Sequence, residues 1–285
     1  MRKHIRLGTR GSKLAVTQSS WVAQQIQKKT GVQVELVTIV TKGDRIQNKP
    51  LPEVGGKGLF TAELEQGLRE GTIDIAVHSL KDLPTDDPEG LCVGAIPKRE
   101  DPRDALVGSL KPSIIGTGSL RRKVQLQKYF TDIRRENMEH QIEIRGIRGN
   151  VDTRLSKLDD GQYESIVLAM AGLRRLGIER EDIHPIDFQR MVPAPGQGAL
   201  GVQTRSNDVE VLQILSTIHD EITFRCVQAE RRVLEGVGGG CHTPIGCYIH
   251  QKTNGSFEGF FFDGTNREEY TASSPEDIAM KFLSL

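Results

Sequence analysis

The 285-residue chain is poor in cysteine, with four, and has one tryptophan and only 5% aromatic residues. Cys92, Cys226, Cys241 and Cys247 are too few and too scattered for a disulfide framework in a chain of this size, so the thiols are expected to be reduced. Charge of one sign is also missing. Lys plus Arg and Asp plus Glu both total 38. That balance argues against a nonspecific nucleic-acid binder, which needs a basic excess. No apolar run approaches the roughly 20 residues of a membrane span. The first residues, Met1 to Arg6, carry no apolar signal core, so the expected location is the cytoplasm. Nor is there a Ser/His/Asp spacing, a phosphate-binding P-loop or a zinc pattern. Gly55-Gly-Lys-Gly58 lacks the P-loop spacing and its Ser/Thr, and Cys241-His242 with Cys247 and His250 fits no metal-ligand spacing.

What is present is a repeated arrangement. Ile5 to Gly8 reads as a strand, followed by a Gly-Thr turn, Ser12 as a helix cap, and Leu14, Val22 and Ile26 at helical spacing. Ile114 to Arg122 repeats it: strand, Gly-Thr turn, Ser119, helix, with Arg121 and Arg122 in the first turn. Ile142 to Asn150, leading to a helix with Arg154, is a third version. Free N–H groups at a helix start form an anion site. Arginines there oppose the helix dipole, so a bound anion is the natural reason for them. Asp74-Ile-Ala-Val-His-Ser-Leu-Lys-Asp-Leu-Pro84 delivers Ser79, Lys81 and Asp82 at the end of a buried strand, with His78 read as structural. Open α/β sheets place ligand chemistry at such strand ends.

Two crossings divide the chain. Lys98 to Asp104 reads as a charged passage into a second lobe, and Val192 to Val202 as the return. The expected fold is α/β: two periplasmic-binding-protein-like lobes with a hinge and cleft, plus a small α+β C-terminal domain. The expected boundaries are 1–98 with 196–216, 103–191, and 218–285. Thr41 to Lys57, rich in glycine and charge, reads as a loop over an open site. Arg10, Lys57, Lys81, Arg121, Arg122, Arg148, Arg154 and Arg174 or Arg175 follow strands in both lobes, and so many cations imply a polycarboxylate or phosphate ligand. Asp82 is the anion among them, suited to a substrate N–H or a developing cation. Cys241, after three glycines, is the thiol placed for chemistry.

These stretches resemble the porphobilinogen deaminase (hydroxymethylbilane synthase) family. The matching motifs are Gly8-Thr-Arg-x-Ser12, Val54 to Phe60, Asp74 to Pro84, Arg99 to Ala105, Gly116-Thr-x-Ser-Leu-Arg-Arg122, Arg148-Gly-Asn-Val-x-Thr-Arg-Leu155, Pro195 to Ala199, and Gly239-Gly-Cys-x-x-Pro-Ile-Gly246. Gly118 departs from the serine usual there. The resemblance implies a transferase of tetrapyrrole and haem biosynthesis. It joins four porphobilinogen molecules head to tail with release of ammonia. The product grows on a dipyrromethane cofactor that the protein makes from its own substrate and holds by a thioether, here at Cys241. Asp82 matches the catalytic aspartate that holds pyrrole N–H groups and stabilises the azafulvene cation. Lys81, Thr117, Ser119, Arg121 and Arg122, with Ser79, fall on the cofactor side. Arg10, Ser12, Arg148, Arg154 and Arg175, with Lys57, Asn150 and Gln197, fall on the substrate side. No metal is implied. The protein is expected to be a monomer that passes its product to uroporphyrinogen-III synthase. Lobe architecture alone would also permit a non-catalytic two-lobed receptor for an organic anion, with no use for Asp82 and no covalent ligand.

Overall fold

The computed structural model describes residues 2–41, 61–137, 142–238 and 243–285. The chain forms two compact units, Met1–Glu100 with Ala199–Phe224, and Asp101–Gly198 with Arg225–Leu285.

The first unit is built on β1 (His4–Thr9), β2 (Gln33–Thr38), β3 (Ile75–Ser79), β4 (Leu91–Ala95) and β10 (Leu200–Arg205), in the order β2-β1-β3-β10-β4. β1 runs parallel to β2 and β3, while β10 is antiparallel to β3 and β4. Helices cover both faces. On one, Val22, Ala23 and Ile26 of α1 (Lys13–Thr30) and Val211, Ile214 and Leu215 of α6 (Val209–Ser216) bury Ile5, Leu7, Ile75, Val77 and Val202. On the other, Leu64 and Leu68 of α2 (Ala62–Arg69) pack on Ile73, Ala76 and Leu91. α1 begins where Ser12 Oγ accepts the Ala15 N–H, and it ends at Gly31, whose φ of 74° closes the helix at little steric cost.

The second unit repeats the plan. β5 (Asp104–Gly108), β6 (Ile114–Gly116), β7 (Glu143–Arg145), β8 (Ser165–Ala169) and β9 (Ile183–Pro185) take the order β7-β6-β8-β5-β9. β6 is parallel to β7 and β8, and β5 is antiparallel to β8 and β9. Leu126 of α3 (Leu120–Asn137) covers one face with Ile115 and Val167. Leu155 and Leu158 of α4 (Val151–Asp159) and Leu173 of α5 (Met170–Arg175) cover the other with Val107 and Ile166. Each lobe is thus three parallel strands extended by an antiparallel strand, β10 or β5, and by a fifth strand antiparallel to that one, β4 or β9.

The same unit contains an antiparallel sheet of β11 (Gly246–Gln251), β12 (Phe257–Phe262) and β13 (Arg267–Ala272). Phe257 and Phe261 face α7 (Glu221–Gly236) and α8 (Pro275–Leu283), whereas Phe260 and Phe262 pack with Tyr248 on Val192, Phe188 and Val124. That period-two alternation buries both faces of β12, and the second face ties this sheet to the second lobe. The two-lobed, periplasmic-binding-protein-like α/β class with a small α+β part is as expected. The compact division places Ala199–Phe224 with the first unit, and Ile218 is buried in that unit's core. Among the described residues no helix is long and apolar enough to cross a membrane.

Candidate active site

In each unit the singled-out residues follow the C-terminal ends of the parallel strands. After β1 come Arg10 and Ser12, and after β3 a single 3-10 turn, Leu80–Asp82. The turn is fixed at both ends: the Leu80 N–H donates to the Ala199 carbonyl at 3.0 Å, and the Leu83 N–H to the Leu80 carbonyl at 3.1 Å. Pro84 then prevents a longer helix. This leaves Asp82 exposed, with no hydrogen bond or ion pair among the described residues, beside the half-buried Lys81. A carboxylate held on a rigid turn and unengaged among the described residues is available to a ligand. Ser79 Oγ accepts from Gln18 Nε2 at 3.1 Å, and Ser12 serves as the helix cap. Beneath the turn, burial pushes the His78 imidazole down to about 4, and the charge of Arg10 acts in the same direction. His78 is therefore neutral and structural.

In the second unit, Thr117 is buried and its Oγ accepts the Ser119 N–H at 3.2 Å, while Ser119 Oγ accepts the Arg122 N–H at 3.4 Å. These bonds start α3 and fix Arg121 and Arg122 in its first turn. Both guanidinium groups are buried against Asp104, which is 0% exposed. Arg121 Nη1 donates to Asp104 Oδ2 at 2.8 Å, and Arg122 donates through Nε at 3.0 Å and Nη2 at 2.7 Å to Oδ1. Burial alone would raise the Asp104 carboxyl, but the two arginines outweigh it and hold it well below the usual carboxylate range. Two of the cations singled out by sequence thus share one carboxylate, which offsets one of their two charges.

Gln197 is a further departure. Expected to touch substrate, it is 1% exposed, and its Nε2 donates to the Pro102 carbonyl at 2.7 Å and to Asp104 Oδ1 at 2.9 Å. It stands behind the arginines. Arg148 and Asn150 are exposed, and the Asn150 side chain makes no capping bond to α4 although its position invites one. Arg154 Nε donates to the Gly149 carbonyl at 2.8 Å, and Arg175 Nη2 to the Gly198 carbonyl at 2.7 Å. Cys241 and Lys57 lie outside the described residues.

Two acidic residues were not singled out by sequence. Asp104 sits in a charged run that reads as a solvated crossing, yet it opens β5. Glu230 lies on α7, 0% exposed, and accepts the Gly196 N–H at 2.7 Å and the Ile249 N–H at 2.9 Å. It joins the Pro195 to Ala199 turn to β11, the strand that follows the Cys241 segment. Helical spacing marks Glu230 as inward-facing between Cys226 and Val233, which was the available signal. Among the described residues Cys92, Cys226 and Cys247 form no disulfide. Burial, with Asp87 adding to it, raises the Cys92 thiol.

Residues 5–213 match the family model described as porphobilinogen deaminase, dipyromethane cofactor binding domain, and residues 224–279 match porphobilinogen deaminase, C-terminal domain. Curated relatives named porphobilinogen deaminase are similar over most of their length. That of Macrococcus caseolyticus is 46% identical, covering 95% of this chain and 88% of the relative. That of Staphylococcus carnosus is 43% identical over 98% and 92%, and that of Bacillus subtilis 46% over 87% and 79%. Among solved structures, the methionine binding protein MetQ is 16% identical, covering 78% of this chain and 92% of that one with a TM-score of 0.47, a likeness too weak to argue from. With the paired cofactor-domain and C-terminal matches spanning both units, the chain belongs to the porphobilinogen deaminase family.

Proposed function

We propose that this chain condenses four porphobilinogen molecules head to tail, with release of one ammonia at each joining, on a dipyrromethane held by a thioether at Cys241. The observation that carries the reading is Asp82: exposed, unengaged among the described residues, and fixed on a turn at the end of β3 in a chain of this family. The donor set fits a ligand in which every pyrrole carries two carboxylates. Among the described residues Arg121 spends only Nη1 on protein partners, which leaves Nε and Nη2 to hold an acid. Lys81, Ser79, Thr117, Ser119 and Arg121 would hold the dipyrromethane, with Arg122 beside them. When bound, it supplies the nucleophilic pyrrole carbon from which the product is extended.

The protein's own groups do the rest. In each joining a carbon–carbon bond forms at the aminomethyl carbon of the incoming substrate, its carbon–nitrogen bond breaks, and ammonia leaves. The attacking pyrrole carbon then loses its proton. The Asp82 carboxylate accepts a pyrrole N–H and opposes the positive charge that develops as the amine departs. Arg10, Ser12, Lys57, Arg148, Asn150, Arg154 and Arg175 receive acetate and propionate groups. Bidentate guanidinium pairing orients each ring as well as binding it. The enzyme works as a cytoplasmic monomer and yields its product to uroporphyrinogen-III synthase. Asp82→Asn removes the charge and keeps the size. It should retain the covalently bound addition and lose nearly all porphobilinogen consumption; near-normal ammonia release by the variant would overturn the role of Asp82.

A further inference from the structure

We propose that Asp104 is the positioning residue of the cofactor site, setting the guanidinium groups of Arg121 and Arg122 and, through them, the backbone on which the Cys241 segment is mounted. The inference rests on the dipyrromethane reading above, and the path is continuous. Asp104 takes one bond from Arg121, two from Arg122 and one from Gln197, so both its oxygens are engaged. Each arginine is then held by a second, backbone acceptor. Arg121 Nη1 donates to the Val192 carbonyl at 2.6 Å, and Arg122 Nη1 to the Val167 carbonyl at 3.0 Å. Among the described residues Arg122 thereby commits Nε, Nη1 and Nη2 inward, whereas Arg121 commits one nitrogen. The geometry separates two neighbouring residues that the sequence treats alike: Arg121 is the ligand-holding member and Arg122 the support.

Val192 carries the arrangement onward. Gln125, 0% exposed, donates to the Val192 carbonyl at 3.0 Å and accepts the Val192 N–H at 2.8 Å. The Cys247 N–H donates to the Pro193 carbonyl at 2.9 Å, and Gly246 lies so close to Val192 that a Cβ there would be 2.8 Å from the Val192 carbonyl oxygen. β11, which begins at Gly246, is thus docked on Pro193 and on Val192, whose carbonyl Arg121 grips. A carboxylate that fixes the acid-binding arginine and the root of the attachment segment together sets their register. Positioning errors of about 1 Å in such a site cost up to about a hundredfold in rate.

The test uses the full chain with three variants: Asp104→Glu, Asp104→Asn, and Asp104→Asn combined with Arg122→Gln. Asp104→Glu keeps the charge and moves the carboxylate. The double variant removes a positive charge with the negative one, so its thermal midpoint should recover relative to Asp104→Asn. Intact mass gives the fraction of chains carrying the covalent addition, denaturation gives folding, and initial rates separate kcat from KM. Positioning predicts folded Asp104→Glu and double-variant protein in which loading or kcat falls about tenfold or more. A purely structural role predicts restored loading and kcat once folding is restored. Any folded variant that loads fully and keeps kcat within about twofold of the parent overturns the proposal, and so does failure of all three to fold, which makes Asp104 structural only. If the unsubstituted protein itself carries no addition, the dipyrromethane reading fails instead.

Discussion

The buried His78 imidazole makes stability depend on pH in a defined window. It is 6% exposed, and its protonation is pushed down from 6.5 to about 4. At pH 7 it is neutral in both the folded and the unfolded chain. As the pH falls below 6.5 the unfolded chain takes up a proton that the folded chain refuses until about pH 4. The native state therefore loses stability through that interval, and the loss levels off below it. Each pH unit is worth about 1.4 kcal/mol, so the interval contributes roughly 3 kcal/mol. His78→Gln keeps polarity and does not titrate. Its stability at pH 7 should fall through altered packing, but its further loss between pH 7 and pH 4 should be smaller than the parent's by roughly 3 kcal/mol. Urea denaturation across that range measures both, and an NMR titration of the imidazole measures the protonation itself. Equal pH-dependent losses in the two proteins, or an imidazole that titrates near 6.5, would refute the reasoning. The depressed Asp104 carboxyl acts elsewhere, because its stabilisation is complete above the ordinary carboxylate range and is lost only as the pH falls below it.

Two substitutions probe the mounting of the Cys241 segment. Glu230→Gln replaces one of two buried acceptor oxygens by a donor facing a backbone N–H. It should cost roughly 3 kcal/mol and speed amide exchange at Gly196 and Ile249; unchanged exchange at both would contradict the bonding described. Gly246→Ala places a methyl group 2.8 Å from the Val192 carbonyl oxygen. Overpacking of this kind costs about 1–3 kcal/mol, so the thermal midpoint should drop by several degrees, and an unaltered midpoint would show that β11 is less tightly docked than the structure has it.

What could be read from sequence was what is local. The first helix emerges with Ser12 as its cap because cap and apolar spacing lie within one short segment. The turn bearing Asp82 was legible because Pro84 and the preceding buried run bracket it. The strand order was not, since β10 enters its sheet from a distant part of the chain and β5 pairs with β8 and β9 rather than with β6, its neighbour in sequence. Asp104 was misread for a related reason. Its neighbours in sequence are charged and suggest solvent, while the partners that bury it stand 17, 18 and 93 residues away. The same gap made Arg121 and Arg122 look alike. Residue type and spacing announce an anion site, but only the fold shows how many nitrogens of each guanidinium are already committed within the protein.

The central claim is that the product is built on a dipyrromethane attached to Cys241, and the intact mass of the purified protein tests it most directly. The account predicts a mass greater than that of the sequence by two linked pyrrole units, mapped by peptide analysis to Cys241, absent in Cys241→Ala and retained in Cys247→Ala. A mass equal to that of the sequence, or an addition mapped to Cys247, would contradict it.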